Sequence, residues 1–354
     1  MSGSMKARKG KRFQLSGWQW FNCISLFIVA TLLWGVVVGN RGFGGLFARW
    51  GSLHLNWMIA ALACMGGYWL LEGMALHVLT GCLYWGVPFR STMRTAMIGQ
   101  LYSALTPFSS GGQPIQFFYM QRDGLDTGGA ASVLTIKTIA YQVGVILTAL
   151  TAILSSYSLF RDQVPAFWPM TAVGFVSNLL VAFGMLLFAL SPRVTRKLYR
   201  GVVRLLHAVR LVRDADAANE KARAQFEVYH ESTRRYEKKG WIVLYALLLT
   251  LVQLALYYLA PYMIYRAFGY REAGVIPIVS AAVLVSTISS FVPLPGGSGG
   301  AEGTFVLFFS LFLSQDDLLV TLLLWRTITY YASMVIGSLV AMISRKRQRA
   351  CIRI

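Results

Sequence analysis

The chain has 354 residues, 56% of them apolar and 13% charged, with a formal net charge of +19 and a mean hydropathy of +0.55. Several apolar runs reach membrane length, which excludes an ordinary soluble domain, and the short alternating segments of a β-barrel are absent from the sequence. The positive charge reads as the positive-inside bias of a membrane chain and as attraction to the anionic inner leaflet, so no nucleic-acid partner is expected.

In chain order, residues 1–17 form a basic N-terminus with Lys6, Arg8, Lys9, Lys11 and Arg12. The run 18–38 has no A-x-A cleavage pattern and is expected to be retained as a first span. Further spans are predicted near 56–79, 130–156, 167–190, 240–265 and 318–343. Two apolar stretches, 91–120 and 275–314, are each interrupted by a Pro/Gly motif and are predicted to be re-entrant helical hairpins. Non-helical backbone at membrane depth is tolerated only where protein or a watery cavity covers it. The polar stretch 193–239 carries 13 Lys/Arg and reads either as a basic amphipathic helix on the inner leaflet or as a solvated connector. Residues 345–354 form a basic tail. The expected organisation is repeat 1 over 18–192, the connector 193–239, and repeat 2 over 240–344.

The two interruptions are alike. The first reads Thr106-Pro107-Phe108-Ser109-Ser110-Gly111-Gly112-Gln113-Pro114, and the second Val292-Pro293-Leu294-Pro295-Gly296-Gly297-Ser298-Gly299-Gly300-Ala301-Glu302. Lys137-Thr138-Ile139-Ala140-Tyr141 begins 30 residues after Pro107, and Arg326-Thr327-Ile328-Thr329-Tyr330 begins 33 after Pro293. Paired breaks in the two halves of a membrane protein point to a transport site at a repeat interface. With both hairpins re-entrant, 26 of the 33 Lys/Arg fall on one side and five on the other. That bias makes both termini cytoplasmic and the two repeats inverted: an all-α polytopic protein of about six full spans plus two hairpins.

Within the spans the charges are Glu72, Lys137, Glu302 and Arg326. Each costs about 2.5–3.5 kcal/mol at a helix centre on insertion scales, so each is expected to be paired or to face a cavity. Gly111, Gly112, Gly296, Gly297, Gly299 and Gly300 permit close backbone approach, while Pro107, Pro114, Pro293 and Pro295 stop the flanking helices. Half-helices ending near the midplane aim N–H groups at an anion such as phosphate, with Lys137 and Arg326 adding charge. Gln116 follows Pro107 by nine residues as Glu302 follows Pro293, so a neutral amide is expected opposite the acid. Glu302 reads either as an ammonium ligand or as a structural partner of Arg326. Tyr141 and Tyr330 supply hydroxyls or pack. Glu72 reads as a buried carboxyl satisfied by a neighbour. The four cysteines and four histidines show no ligand spacing, so no metal, disulfide, cofactor or catalytic residue is expected.

The run Phe291–Gly303, followed by Trp325-Arg326 and Tyr330, resembles the lysylphosphatidylglycerol synthase transmembrane family, the flippase-like membrane half of the multiple peptide resistance factor. The Thr106–Pro114 motif and Arg122-Asp123-Gly124 resemble that family's first repeat, and the likeness spans roughly 15–343. It implies a multi-pass protein of the bacterial inner membrane that translocates anionic or aminoacylated phospholipids such as (lysyl-)phosphatidylglycerol, linked to cationic peptide resistance. The alternative it implies is a phosphatidylglycerol lysyltransferase, or the membrane partner of a separately encoded synthase. The 47-residue connector and the eleven residues after 343 are too short for a transferase domain, so a transporter is the expectation. A homo-oligomer remains open. Lys137 stands where the family pattern implies an arginine.

Overall fold

In a computed structural model, the structure describes residues 51, 53–197, 201, 204 and 215–351. The N-terminus 1–17, the predicted span 18–38 and residues 198–200, 202–203 and 205–214 of the connector lie outside the described residues. The described chain is helical throughout, with no strand among those residues. In order, it runs α1 Leu55–Leu83, α2 Phe89–Leu105, a 3₁₀ turn Pro107–Ser109, α3 Gly112–Arg122, α4 Thr127–Gln163, α5 Phe167–Leu190 and α6 Ala215–Lys238. It continues with α7 Gly240–Ala267, α8 Val275–Ser289, a 3₁₀ turn Pro295–Gly297, α9 Gly300–Phe309 and α10 Gln315–Arg326. A π turn at Thr327–Tyr331 then leads into α11 Ala332–Cys351. Residues 192–197 are also helical.

Among the described residues, five helical stretches are long and apolar enough to cross a membrane: α1, α4, α5, α7 and residues 315–344. They coincide with five of the predicted spans, and the chain is a multi-pass membrane protein. Helix α5 has the plainest lipid-facing character. Only Phe167, Thr171, Gly174, Asn178 and Ala189 of its 24 residues are buried, while Leu180 and Phe183 stand exposed. In water such a surface would aggregate; in lipid it is the expected exterior. Helix α4 is longer than the predicted 130–156. Asp126 caps its start by accepting from the Gly129 N–H at 2.8 Å, and it bends at Ser156.

The centre of the molecule is the pair α1 and α7, and it is antiparallel. His54 N–H donates to the Ala267 carbonyl at 2.9 Å at one end, and Tyr236, in the helix leading into α7, donates to the Leu79 carbonyl at 2.7 Å at the other. Each of these two helices precedes a broken segment, and the two run in opposite senses. Each C-terminal end feeds a broken segment. Helices α2 and α3 fold back on each other around Pro107–Ser109, as α8 and α9 do around Pro295–Gly297. The two broken segments therefore start at opposite ends of the central pair, and their tips meet. Each also packs on a helix from the other half of the chain, α2 on α11 and α8 on α4. Small residues permit this: Gly337 leaves room for Leu101 and the Met97 carbonyl, and Ser155 meets Ser280 at 3.2 Å.

Candidate functional site

The two tips share a backbone conformation with different side chains. Thr106 and Leu294 are extended, Pro107 and Pro295 open the 3₁₀ turns, and the next two residues have positive φ in both. In the second tip those are Gly296 and Gly297; in the first they are Phe108 and Ser109, which pay a steric cost for the left-handed region. The hydrogen bonds repeat too. Ser110 Oγ donates to the Pro107 carbonyl at 2.9 Å and Ser298 Oγ to the Pro295 carbonyl at 2.7 Å. This corrects the register of the sequence motif: Pro107 corresponds to Pro295, not Pro293. The residue facing Gln116 in the repeat is therefore Thr304, and Glu302 has no amide counterpart. The cations also align better, Lys137 at 30 residues past its proline and Arg326 at 31.

Between the tips lies a cavity of about 210 Å³, walled by Phe108 and Ser109 from one side and Gly296 and Gly297 from the other. Arg326 is the only charged residue on its described wall. Its side chain is held by three contacts. Nε lies 2.8 Å from Glu302 Oε1, a charge contact without hydrogen-bond alignment. Nη1 donates to the Gly296 carbonyl at 3.1 Å. The guanidinium lies over the Trp325 and Tyr330 rings, with centroids 5.0 and 5.4 Å away. Nη2 is buried with no partner among the described residues. A buried guanidinium nitrogen without an acceptor is costly. The π turn begins one residue after Arg326; such bulges are uncommon and recur at functional sites.

Glu302 sits in the first turn of α9, where Oε2 accepts from the Gly299 N–H at 2.6 Å. The helix N-terminus favours that carboxylate. Tyr330 reaches across the repeat boundary to donate to the Ala104 carbonyl at 2.8 Å, and its ring packs on Gly296. Tyr141 lines the cavity with Tyr68 and Tyr257. Among the glycines, Gly112 lets α3 approach the Gly99 carbonyl of α2, and Gly300 does the same against Val292. Gly111 N–H is held by Thr106 Oγ1 at 2.7 Å. Pro114 falls in the first turn of α3 and Pro293 in the loop before the second tip, each in a position that needs no helical N–H.

Lys137 is placed elsewhere. It does not line the cavity but forms a buried ion pair with Glu72, and its Nζ donates to Gln116 Oε1 at 3.4 Å. Gln253 Nε2 donates to the other Glu72 oxygen at 2.9 Å, tying the pair to α7. The predicted pairing of Lys137 and Arg326 around one anion is thus not the observed arrangement. Tyrosine–aspartate clasps at the bases of both broken segments were not anticipated. Tyr84 bonds Asp126, and Tyr270 donates to Asp317 Oδ2 at 2.7 Å. Each ties the residue before a broken segment to the helix after it. Their spacings of 42 and 47 residues carry no local signal in the sequence.

No group of three or more potential metal ligands occurs among the described residues. A family model described as the lysylphosphatidylglycerol synthase TM region matches residues 22–337. A UPF0104 membrane protein of Archaeoglobus fulgidus is 26% identical over 297 residues, covering 80% of this chain and 86% of the relative. A protein of Mycoplasma pneumoniae described as an uncharacterized MG306 homolog is 20% identical over 348 residues, covering 92% of this chain and 77% of its own length.

Proposed function

Because the chain belongs to the lysylphosphatidylglycerol synthase TM region family, we propose that it translocates phospholipids, taking an anionic headgroup through the cavity between the two helical tips. The observation that carries this reading is Arg326, the one charged side chain on the described wall of the cavity between the tips, whose buried Nη2 has no hydrogen-bond partner among the described residues. Both broken segments act as re-entrant hairpins. Their second arms, α3 with 11 residues and α9 with 10, are roughly 15 Å long, half of a hydrocarbon core. Rocking of one repeat against the other would expose the cavity to each leaflet in turn, with hairpin arms α2 and α8 as the moving contacts. The setting is the inner membrane with the 193–239 connector in the cytoplasm. Among the described residues the cavity wall pairs no nucleophile with a base and carries no second charge to bind an aminoacyl donor.

The test is a headgroup-accessibility assay in proteoliposomes containing a fluorescent anionic phospholipid. The wild-type protein should equilibrate the label across the bilayer. Arg326→Gln should slow this at least tenfold, the scale of one lost charge-assisted hydrogen bond. Equal rates for wild type and empty liposomes, or for wild type and variant, would reject the proposal.

A further inference from the structure

A second cavity, of about 270 Å³, lies where the lipid-facing helix α5 ends, and it shares no lining residue with the cavity between the tips. One wall carries Pro192, Thr195 and Arg196. The other is a single face of α6, on which Arg223, Glu227, His230 and Arg234 recur at helical spacing. The walls are fastened to each other and to the bundle. Thr195 Oγ1 donates to the Phe188 carbonyl at 2.9 Å, and the Phe188 ring lies 5.4 Å from that of Tyr229. Behind them the Ser132 and Thr233 hydroxyls bond at 3.0 Å, and Gly128 N–H donates to Gln225 Oε1 at 3.2 Å. Charge on these walls is uneven. Glu227 lies 3.0 Å from Arg223, and Glu231, also on the wall, 3.0 Å from Arg235, so both carboxylates are paired along α6. Arg196 and Arg234 come from the two walls with no carboxylate partner among the described residues. Burial, and then Arg234, lower the His230 pKa from its ordinary value, so the imidazole is neutral near pH 7 and adds no charge. The two arginines call for an anion. Helix α5 says where it comes from: its 24 residues span about 36 Å, enough to cross a hydrocarbon core of about 30 Å and end at headgroup level. Leu186, Leu187, Leu190 and Val194 are exposed and lead to the cavity rim, a track for acyl chains beside a cationic pocket.

We infer that this pocket is a resident binding site for an anionic phospholipid of the leaflet on the connector side, its phosphate held between Arg196 and Arg234 and its acyl chains against the end of α5. The site stands apart from the tip cavity and does not depend on translocation. The test places the full chain in phosphatidylcholine nanodiscs with a trace of phosphatidylglycerol bearing a diazirine near the head end of one acyl chain. Crosslinks are mapped by mass spectrometry. Labelling of residues 186–197 and 223–234 should exceed that from the matched phosphatidylethanolamine probe roughly fivefold, the scale of two exposed charge contacts. Arg196→Gln combined with Arg234→Gln should lower it by a similar factor and leave labelling around the tips unchanged. Arg193→Gln combined with Lys197→Gln removes the same charge from exposed positions outside the pocket and should change it less than about twofold. Equal labelling by the two probes, no labelling at these residues, or equal loss in the two double variants would overturn the inference, the last by reducing it to diffuse attraction towards a basic surface. Suppression of the label by free glycerol 3-phosphate at the probe's own concentration would overturn the lipid as occupant and assign the phosphate site to a soluble ester. Arg326→Gln should leave this labelling intact, so a failure of translocation in that variant bears on the tip cavity alone.

Discussion

At the scale of single residues, the two intramembrane cations have divided their roles. Both were legible as expensive charges needing partners, and both have carboxylates beside them. Their surroundings differ in a way that spacing could not reveal. Lys137 is closed off by Glu72, Gln116 and, through Glu72, Gln253, four side chains drawn from four helices. Arg326 lines a cavity and has a buried nitrogen, Nη2, with no hydrogen-bond partner among the described residues. The Lys137 cluster is accordingly a fastening between α1, α3, α4 and α7, and it makes a stability prediction. Removing one partner of a buried pair strands the other charge at about 3–5 kcal/mol, whereas replacing both by apolar groups is often close to neutral. Glu72→Leu should lower the unfolding midpoint in detergent strongly, and Lys137→Met added to it should restore most of the loss. A double variant no more stable than the single one would mean that the pair does not fasten the helices.

At the scale of elements, the tips show how far a sequence motif reaches. That the helices break, and where, follows from Pro107, Pro295 and the glycines around them. The register does not, because the first tip adopts positive φ at Phe108 and Ser109 with no glycine to announce it. An alignment by residue identity therefore slipped two positions and set Gln116 against Glu302. Five spans were read to within a few residues of one edge or the other because long apolar runs dominate local preference, while the clasps Tyr84–Asp126 and Tyr270–Asp317 join residues too distant for any periodicity to connect. The tip conformation can be tested at Gly296. Its φ of +63° costs an alanine roughly 1–2 kcal/mol, and a Cβ would also strike the Tyr330 ring that holds α2 to the π turn. Gly296→Ala should lower the thermal midpoint in detergent markedly. Gly303→Ala, inside α9 with open space at its Cβ, should be neutral or slightly stabilising. Similar midpoints for both variants would contradict the observed packing of the second tip.

For the whole molecule, the decisive relation is that α1 and α7 are antiparallel neighbours whose C-terminal ends lead into the two hairpins. From this it follows that the hairpins start at opposite faces of the central pair, and contact between the tips then requires both to reach inward to a common level. The charge pattern of the sequence leads to an expectation of the same kind: with both broken segments re-entrant, 26 Lys/Arg fall on the side of the first segment's base and five on the other, as the positive-inside rule asks, whereas making either one cross would reverse every loop after it. Single cysteines in a cysteine-free background read this out with a membrane-impermeant thiol reagent on intact cells. Arg90→Cys, at the base of the first hairpin, should be protected until the membrane is permeabilised. Glu272→Cys, at the base of the second, should be labelled directly. Both sites are exposed in the folded chain, so protection reports sidedness and not packing. Labelling of the two from one side would separate the hairpin bases from the antiparallel frame and remove the two-sided access on which translocation through the shared cavity depends.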